Sequence, residues 1–276
     1  MLGALAVLLL QAAAPALETR TVAVVVTDAA GRPIQDLAPD EVALVENGVV
    51  RDVVRIAPDE RPLTVAILVD SSEELSSIYR LYLIDAVTAL VKALPAGARY
   101  GIWVTGDRPR KLVDLTEDRG AVSALKRVAP TGGNTLLDAL VEVTTELGKQ
   151  REGERFAVVA LTGMTTEFSS RDRFRVVEEC QKRAELFLFL AFDEGRADFE
   201  NRTSYDHVMS QLTRKPGGRL ERAITAMGAA KTLASFAADL GPTLRLSYET
   251  PPELKERKIE LQLSRPGLRV RALPGP

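Results

Sequence analysis

One cysteine and one histidine occur among 276 residues. Cys180 alone excludes an intrachain disulfide and a thiolate metal cluster. It lies in the helical pattern RVVEECQKRAELFLF, which fits a buried, inert thiol. His207 alone, in SYDHVMSQL, excludes a histidine ligand pair and leaves a serine nucleophile only one conceivable base, which no spacing brings near. No G-x-S-x-G, H-E-x-x-H or Walker sequence occurs. An excess of one charge is also missing: Lys+Arg 36 against Asp+Glu 38 gives a formal −2. No global basic field therefore recruits nucleic acid or anionic lipid.

What is present fits a globular protein with a sizeable core: 46% hydrophobic and 27% charged residues. The length suits one large α/β domain plus a small module. Residues 1–16 read as a signal peptide, with an apolar stretch from Leu2 to Leu10 and a small-x-small cleavage pattern at Ala14-Pro15-Ala16. The run is short for a bilayer span, its start has no Lys or Arg, and an uncleaved anchor is the alternative. No cysteine stands at the expected cleavage point, which excludes lipoprotein processing. Later apolar stretches are all interrupted by charge. The mature protein is expected to be exported, periplasmic or secreted, with no membrane span.

Residues 20–58 read as a small antiparallel β module. Val22, Val24 and Val26 share one strand face, a turn falls at Ala30-Gly31-Arg32-Pro33, and Asn47-Gly48 marks a tight hairpin inside EVALVENGVVRDVV. So small a module should pack on the larger domain C-terminal to it. APDERP, Ala57 to Pro62, is a polar linker. From Leu63 the rhythm turns to strand, helix, strand, helix, and it predicts an open, doubly wound, mostly parallel sheet over 63–250 with helices on both faces. RKLVDLT is expected as an antiparallel edge, 220–240 as a helix, and TLRLSYE as the last strand of the alternation. Residues 251–276 alternate again around Pro266-Gly267 and predict a C-terminal hairpin beside the N-terminal module.

The chemistry concentrates where the strand LTVAILVD ends and DSSEE begins. A carboxylate, two hydroxyls and two further carboxylates meet at the carboxyl end of the first sheet strand, the place where open α/β sheets bind ligands. Two readings stand side by side. Asp70, Ser71 or Ser72 can simply cap the next helix, with Glu73 and Glu74 favouring its dipole. Alternatively the oxygens hold a hard cation. Thr135 or Asn134 can likewise cap the helix that starts LLDAL, and Gly132-Gly133 permit a tight turn. Trp103 reads as core. The charged stretch DEGRADFENR reads as a solvated loop that could also touch a ligand.

DSSEE at this position, with TGGNTLLDAL later, resembles the von Willebrand factor type A domain. More narrowly, VAVVVTDAAGRPIQDLAPDEVALVENG, TEDRGAVSALKRVAPTGGNTLLDAL and GGRLERAITAMGAAKTLASFAADLGPTLRLSYETP, in that order, resemble the exported von Willebrand A-related family common in acidobacteria. The resemblance implies a Rossmann-like domain in which D-x-S-x-S, a threonine on a second loop and an aspartate on a third hold one Mg²⁺ or Mn²⁺, and an acidic side chain of a partner completes the shell. Carried over, Asp70, Ser72 and Thr135 match. Glu74 replaces the second serine, and the third loop, Leu161-Thr162-Gly163-Met164, lacks the aspartate. The expectation is a non-enzymatic protein-binding domain with a degenerate metal-ion-dependent adhesion site, its partner another protein. A scaffold domain without a cleft ligand, and a metal-dependent hydrolase acting through Asp70, Glu73 and Glu74, are the competing classes.

Overall fold

A computed structural model of the chain describes residues 17–30, 32–148, 153–214, 217–252 and 257–273. The expected signal peptide, and Gly31 of the expected turn, lie outside the described residues.

Four strands come first: β1 (Glu18–Thr27), β2 (Val42–Glu46), β3 (Val49–Arg51) and β4 (Val53–Pro58). The alternating part comes next with β5 (Leu63–Val69), α1, β6 (Arg99–Thr105), β7 (Pro109–Thr116), α2 (Leu136–Gly148) and β8 (Arg155–Thr162). It continues through α3 (Arg173–Gln181), β9 (Leu186–Phe192), α4 (Phe199–Leu212), β10 (Arg219–Ala223) and α5 (Ala229–Asp239). The chain closes with β11 (Leu244–Thr250), β12 (Ile259–Leu263) and β13 (Arg269–Leu273). Helix α1 starts as Ser76–Ile78, widens into a π segment over Tyr79–Leu83 and continues as Ile84–Ala93. The segment Arg119–Arg127 is a 3₁₀ helix that Asp118 caps by accepting from Gly120 N.

The central sheet has the order β10-β9-β8-β5-β6-β7, parallel except for the antiparallel edge β7. Strands β5, β8 and β9 are buried along their whole length, as continuous apolar strands covered on both faces must be. Successive residues of β5 serve opposite layers. Val65, Ile67 and Val69 pack with α1 and α5, while Ala66 and Leu68 pack with α2, α3 and α4. Trp103 is fully buried in the second layer.

Three expectations change. TLRLSYE does not extend the parallel sheet. As β11 it runs antiparallel between β1 and β4 in a four-stranded sheet, β13-β1-β11-β4. Its alternating burial belongs to a strand with one wet face, not to a doubly covered one. Residues 220–240 are not one helix, because the edge strand β10 occupies 219–223 before α5 begins. The C-terminal strands do not pair with each other as a hairpin: β12 joins β2 and β13 joins β1, in different sheets.

The small module is therefore discontinuous, completed by strands from the far end of the chain. Its four-stranded sheet faces a three-stranded one, β12-β2-β3, across a core of Val22, Val24, Val26, Leu44, Leu246 and Tyr248. Asn47 and Gly48, at φ 51° and 83°, form the two-residue hairpin between Glu46 and Val49. Ala23 and Val25, on the opposite face of β1, join the core under α5. Burial of that face is what seats the module on the α/β domain.

Candidate functional site

The first residue beyond β5 is Asp70, 1% exposed. Its amide donates to Leu161 O of β8 at 2.9 Å. Its carboxylate is thus delivered between β5 and β8, where the connection from β5 to β6 and that from β8 to β9 run in opposite directions along the sheet. Oδ1 accepts from Ser72 N at 3.0 Å. Oδ2 accepts from four groups: Asn134 Nδ2 at 2.9 Å, and Thr162 Oγ1, Gly163 N and Thr165 Oγ1 at 3.1 Å each. Asn134 is itself held, since its Oδ1 accepts from Thr105 Oγ1 at 2.6 Å. Burial pushes the Asp70 carboxyl up from its ordinary range, against hydrogen bonds that favour the charged form.

The two departures from the adhesion-site pattern have defined jobs. Glu74 turns away from Asp70 to its neighbouring loops. Its Oε1 accepts from Thr166 N at 3.0 Å and Thr166 Oγ1 at 2.7 Å, and its Oε2 accepts from Arg196 N at 2.5 Å. Burial raises this carboxyl, but the hydrogen bonds from Thr166 and Arg196 outweigh it and hold Glu74 below its usual range. Thr162 and Gly163, where the third-loop aspartate would stand, supply donors in place of a second carboxylate.

Thr135 arrives beside these groups, 3% exposed, with its hydroxyl donating to Gly106 O at 3.0 Å. The residue that bonds Asp70 is its predecessor Asn134. Ser72 is fully buried, and its Oγ has no hydrogen-bond partner. The capping reading is not realised in its simple form, because Ser72 makes no side-chain cap at the 3₁₀ turn Glu73–Leu75. For α2 the cap comes from the third loop: Asp138 N donates to Ser169 Oγ at 2.9 Å.

Sequence reasoning missed Asn134, Thr162, Thr165 and Thr166 as partners of the acidic cluster. The extra Asn in TGGNT was the visible signal. It also missed Glu167, whose Oε1 accepts from Ser169 N at 3.0 Å while Oε2 is buried without a partner. Burial pushes this carboxyl up to about 7.

A resident Mg²⁺ or Mn²⁺ asks for about six oxygens in a regular shell. Here Oδ2 of Asp70 is surrounded by protein donors and Glu74 faces other loops. Only Ser72 Oγ and the lone pairs of Thr135 Oγ1 remain uncommitted to them. Among the described residues no three His, Cys, Asp or Glu side chains gather as a metal set. One carboxylate and two hydroxyls do not fit such an ion.

Above this closed floor opens a crevice lined by Glu73, Glu74, Gly132, Gly133, Phe168 and Arg196. The Phe168 ring lies so close over Gly133 that an added Cβ would stand 1.9 Å from it. Gly132, at φ +65°, turns the chain where a Cβ would strike Asp107. Large apolar side chains stand exposed at this end of the sheet: Phe168, Phe199, Ile224 and Met227, at 63%, 87%, 84% and 74%.

A doubly wound sheet with a buried aspartate at its switch point and ligand loops around it defines a Rossmann-like α/β domain. The chain contains a von Willebrand factor type A domain, whose family model matches residues 65–165. The von Willebrand factor type A protein from Catenulispora acidiphila is similar over 96% of this chain and 74% of that one, at TM-score 0.57 and 10% identity. Manganese-loaded Plasmodium vivax TRAP protein is similar over 84% and 98%, at TM-score 0.53 and 13% identity. Proximal thread matrix protein 1 from the mussel byssus, with a zinc-occupied MIDAS motif, is similar over 71% of this chain and 49% of that one, at TM-score 0.50 and 12% identity. At these identities the likeness is one of fold. No curated protein sequence matches the chain.

Proposed function

We propose that this is an exported, non-enzymatic adhesion-type domain that binds another protein through the loops at the carboxyl end of its sheet, with a degenerate metal-ion-dependent adhesion site. The carrying observation is the exposure of Phe168, Phe199, Ile224 and Met227 at the carboxyl end of the sheet, where Phe168 lines a charged crevice. Apolar anchors ringed by charge are the surface a protein partner buries. The leader of residues 1–16 supports export.

The internal donors around Asp70 supply the positive partial charge that a cation supplies in the adhesion sites the family pattern describes. Recognition then rests on the loop surface and does not require an acidic group bridging to metal. The reading without enzymatic activity is supported by His207, which packs edge-on against the Phe174 ring at 4.6 Å and bonds no nucleophile among the described residues.

The test is affinity capture from exported fractions with the wild type and with Phe168→Ser and Met227→Ser. A partner lost with the loop variants, and retained in chelator, is the expected result. Equal capture by all variants overturns the assignment of the surface, and capture that needs Mg²⁺ or Mn²⁺ overturns the degenerate site. N-terminal sequencing of the mature protein tests export, with a start near residue 17 expected.

A further inference from the structure

The β sandwich carries a second concave site, remote in sequence from the loops around Asp70. The cleft is lined by Thr21 of β1, Arg55, Ala57 and Pro58 of β4, and Arg245 and Ser247 of β11. Ser247 stands opposite Thr21 on one side and Arg55 on the other. Arg245 stands opposite Ala57, so the two arginines are diagonal neighbours roughly 7–8 Å apart at the backbone. The ladder slips between Ser247 and Tyr248, a bulge of the kind that re-aims side chains beside binding sites.

The lining offers donors and almost nothing else. Neither guanidinium has an ion-pair or hydrogen-bond partner among the described residues, although Arg245 is half-buried. By contrast Arg51, Arg257 and Arg265 of the same sandwich are each paired with a carboxylate, at 3.0, 2.6 and 2.7 Å. The Thr21 and Ser247 hydroxyls stand 3.3 Å apart. They share one proton between them and leave the other free to donate. No carboxylate lines the cleft. Two cationic forks on one face with no carboxylate between them suit an acceptor-only dianion.

We infer that this cleft binds a phosphate-bearing ligand. The charge of a phosphate monoester at neutral pH, about −1.5 to −2, matches two guanidinium groups, and its oxygens accept from both forks and a hydroxyl. The site stands apart from the loop surface and does not depend on the proposed protein binding.

The experiment titrates the full chain with inorganic phosphate at constant ionic strength set by chloride, following ³¹P line width and melting temperature. Saturable broadening and a rise in melting temperature over chloride are expected. Arg55→Gln changes an exposed side chain and leaves the fold intact; about tenfold weaker binding is expected, and the same for Arg245→Gln. Phe168→Ser should leave phosphate binding unchanged. A response no different from chloride, or full affinity in Arg55→Gln, overturns the site. Malonate binding as tightly as phosphate overturns the phosphate assignment.

Discussion

Asn134 donates its side-chain amide to Asp70 Oδ2 at 2.9 Å across the floor of the site, while its carbonyl oxygen accepts from Thr105. One side chain so links the ends of β5 and β6 and the loop before α2. If Asp70 is held by such donors and not by an ion, its removal is a structural injury. Asp70→Ala orphans buried donors of Ser72, Asn134, Gly163 and Thr165 and is expected to cost about 3–5 kcal/mol. Denaturant unfolding should give the same loss in Mg²⁺ and in chelator. A loss confined to Mg²⁺ would show that the wild type holds the ion.

Restoring the missing third-loop carboxylate should restore cation dependence. Thr162 Oγ1 lies 3.1 Å from Asp70 Oδ2, so Thr162→Asp puts two carboxylates together in a buried place. In chelator the variant should melt well below the wild type, because like charges cannot both ionise there. Mn²⁺ should then raise its melting temperature by linkage while leaving the wild type unchanged. A variant indifferent to Mn²⁺ would sink this account.

Glu167 makes stability depend on pH near neutrality. Burial raises this carboxyl from 4.5 to about 7, so its neutral form is the one the fold favours. The contribution is complete below pH 4.5 and is lost as pH rises through about 7. Glu167→Gln should flatten that decline and be more stable than wild type at pH 8, by up to on the order of 3 kcal/mol. Unfolding curves at pH 5 and pH 8 for both proteins check it, and parallel pH dependence would contradict it.

Ser169 caps α2 from another loop through Asp138 N at 2.9 Å. Ser169→Ala should cost about 1 kcal/mol, the ordinary loss of a hydroxyl cap. It should also increase hydrogen exchange at the first turn of α2. Unchanged exchange there would mean the cap is not made in solution.

How far each part was legible depends on how local its cause is. The burial of β5, β8 and β9 results from uninterrupted apolar runs, and the turn at Asn47-Gly48 from residues that tolerate positive φ. These could be read directly. Strand β11 was misplaced although its own letters carried the answer: in Leu244, Arg245, Leu246, Ser247 and Tyr248 apolar and polar residues alternate, the pattern of a half-buried antiparallel strand. Its position after a helix in a βα rhythm suggested the other sheet. β12 and β13 were legible as strands, but their partners lie more than 200 residues away in sequence, and pairing at that distance leaves no local mark.

The sequence by itself determined that Asp70, Ser72, Glu74 and Thr135 fall on connections at the carboxyl end of the sheet, because the βα alternation puts every such loop there. Only the tertiary structure decided what they do. Whether a buried carboxylate is satisfied by a cation or by amide and hydroxyl donors depends on angles and distances of a few tenths of an ångström between loops far apart in the chain. Asn134 and Thr162 reach Asp70, and Glu74 reaches Thr166 and Arg196 instead. Spacing along a chain fixes neither, since hydrogen bonding is set by where the folded loops come to rest.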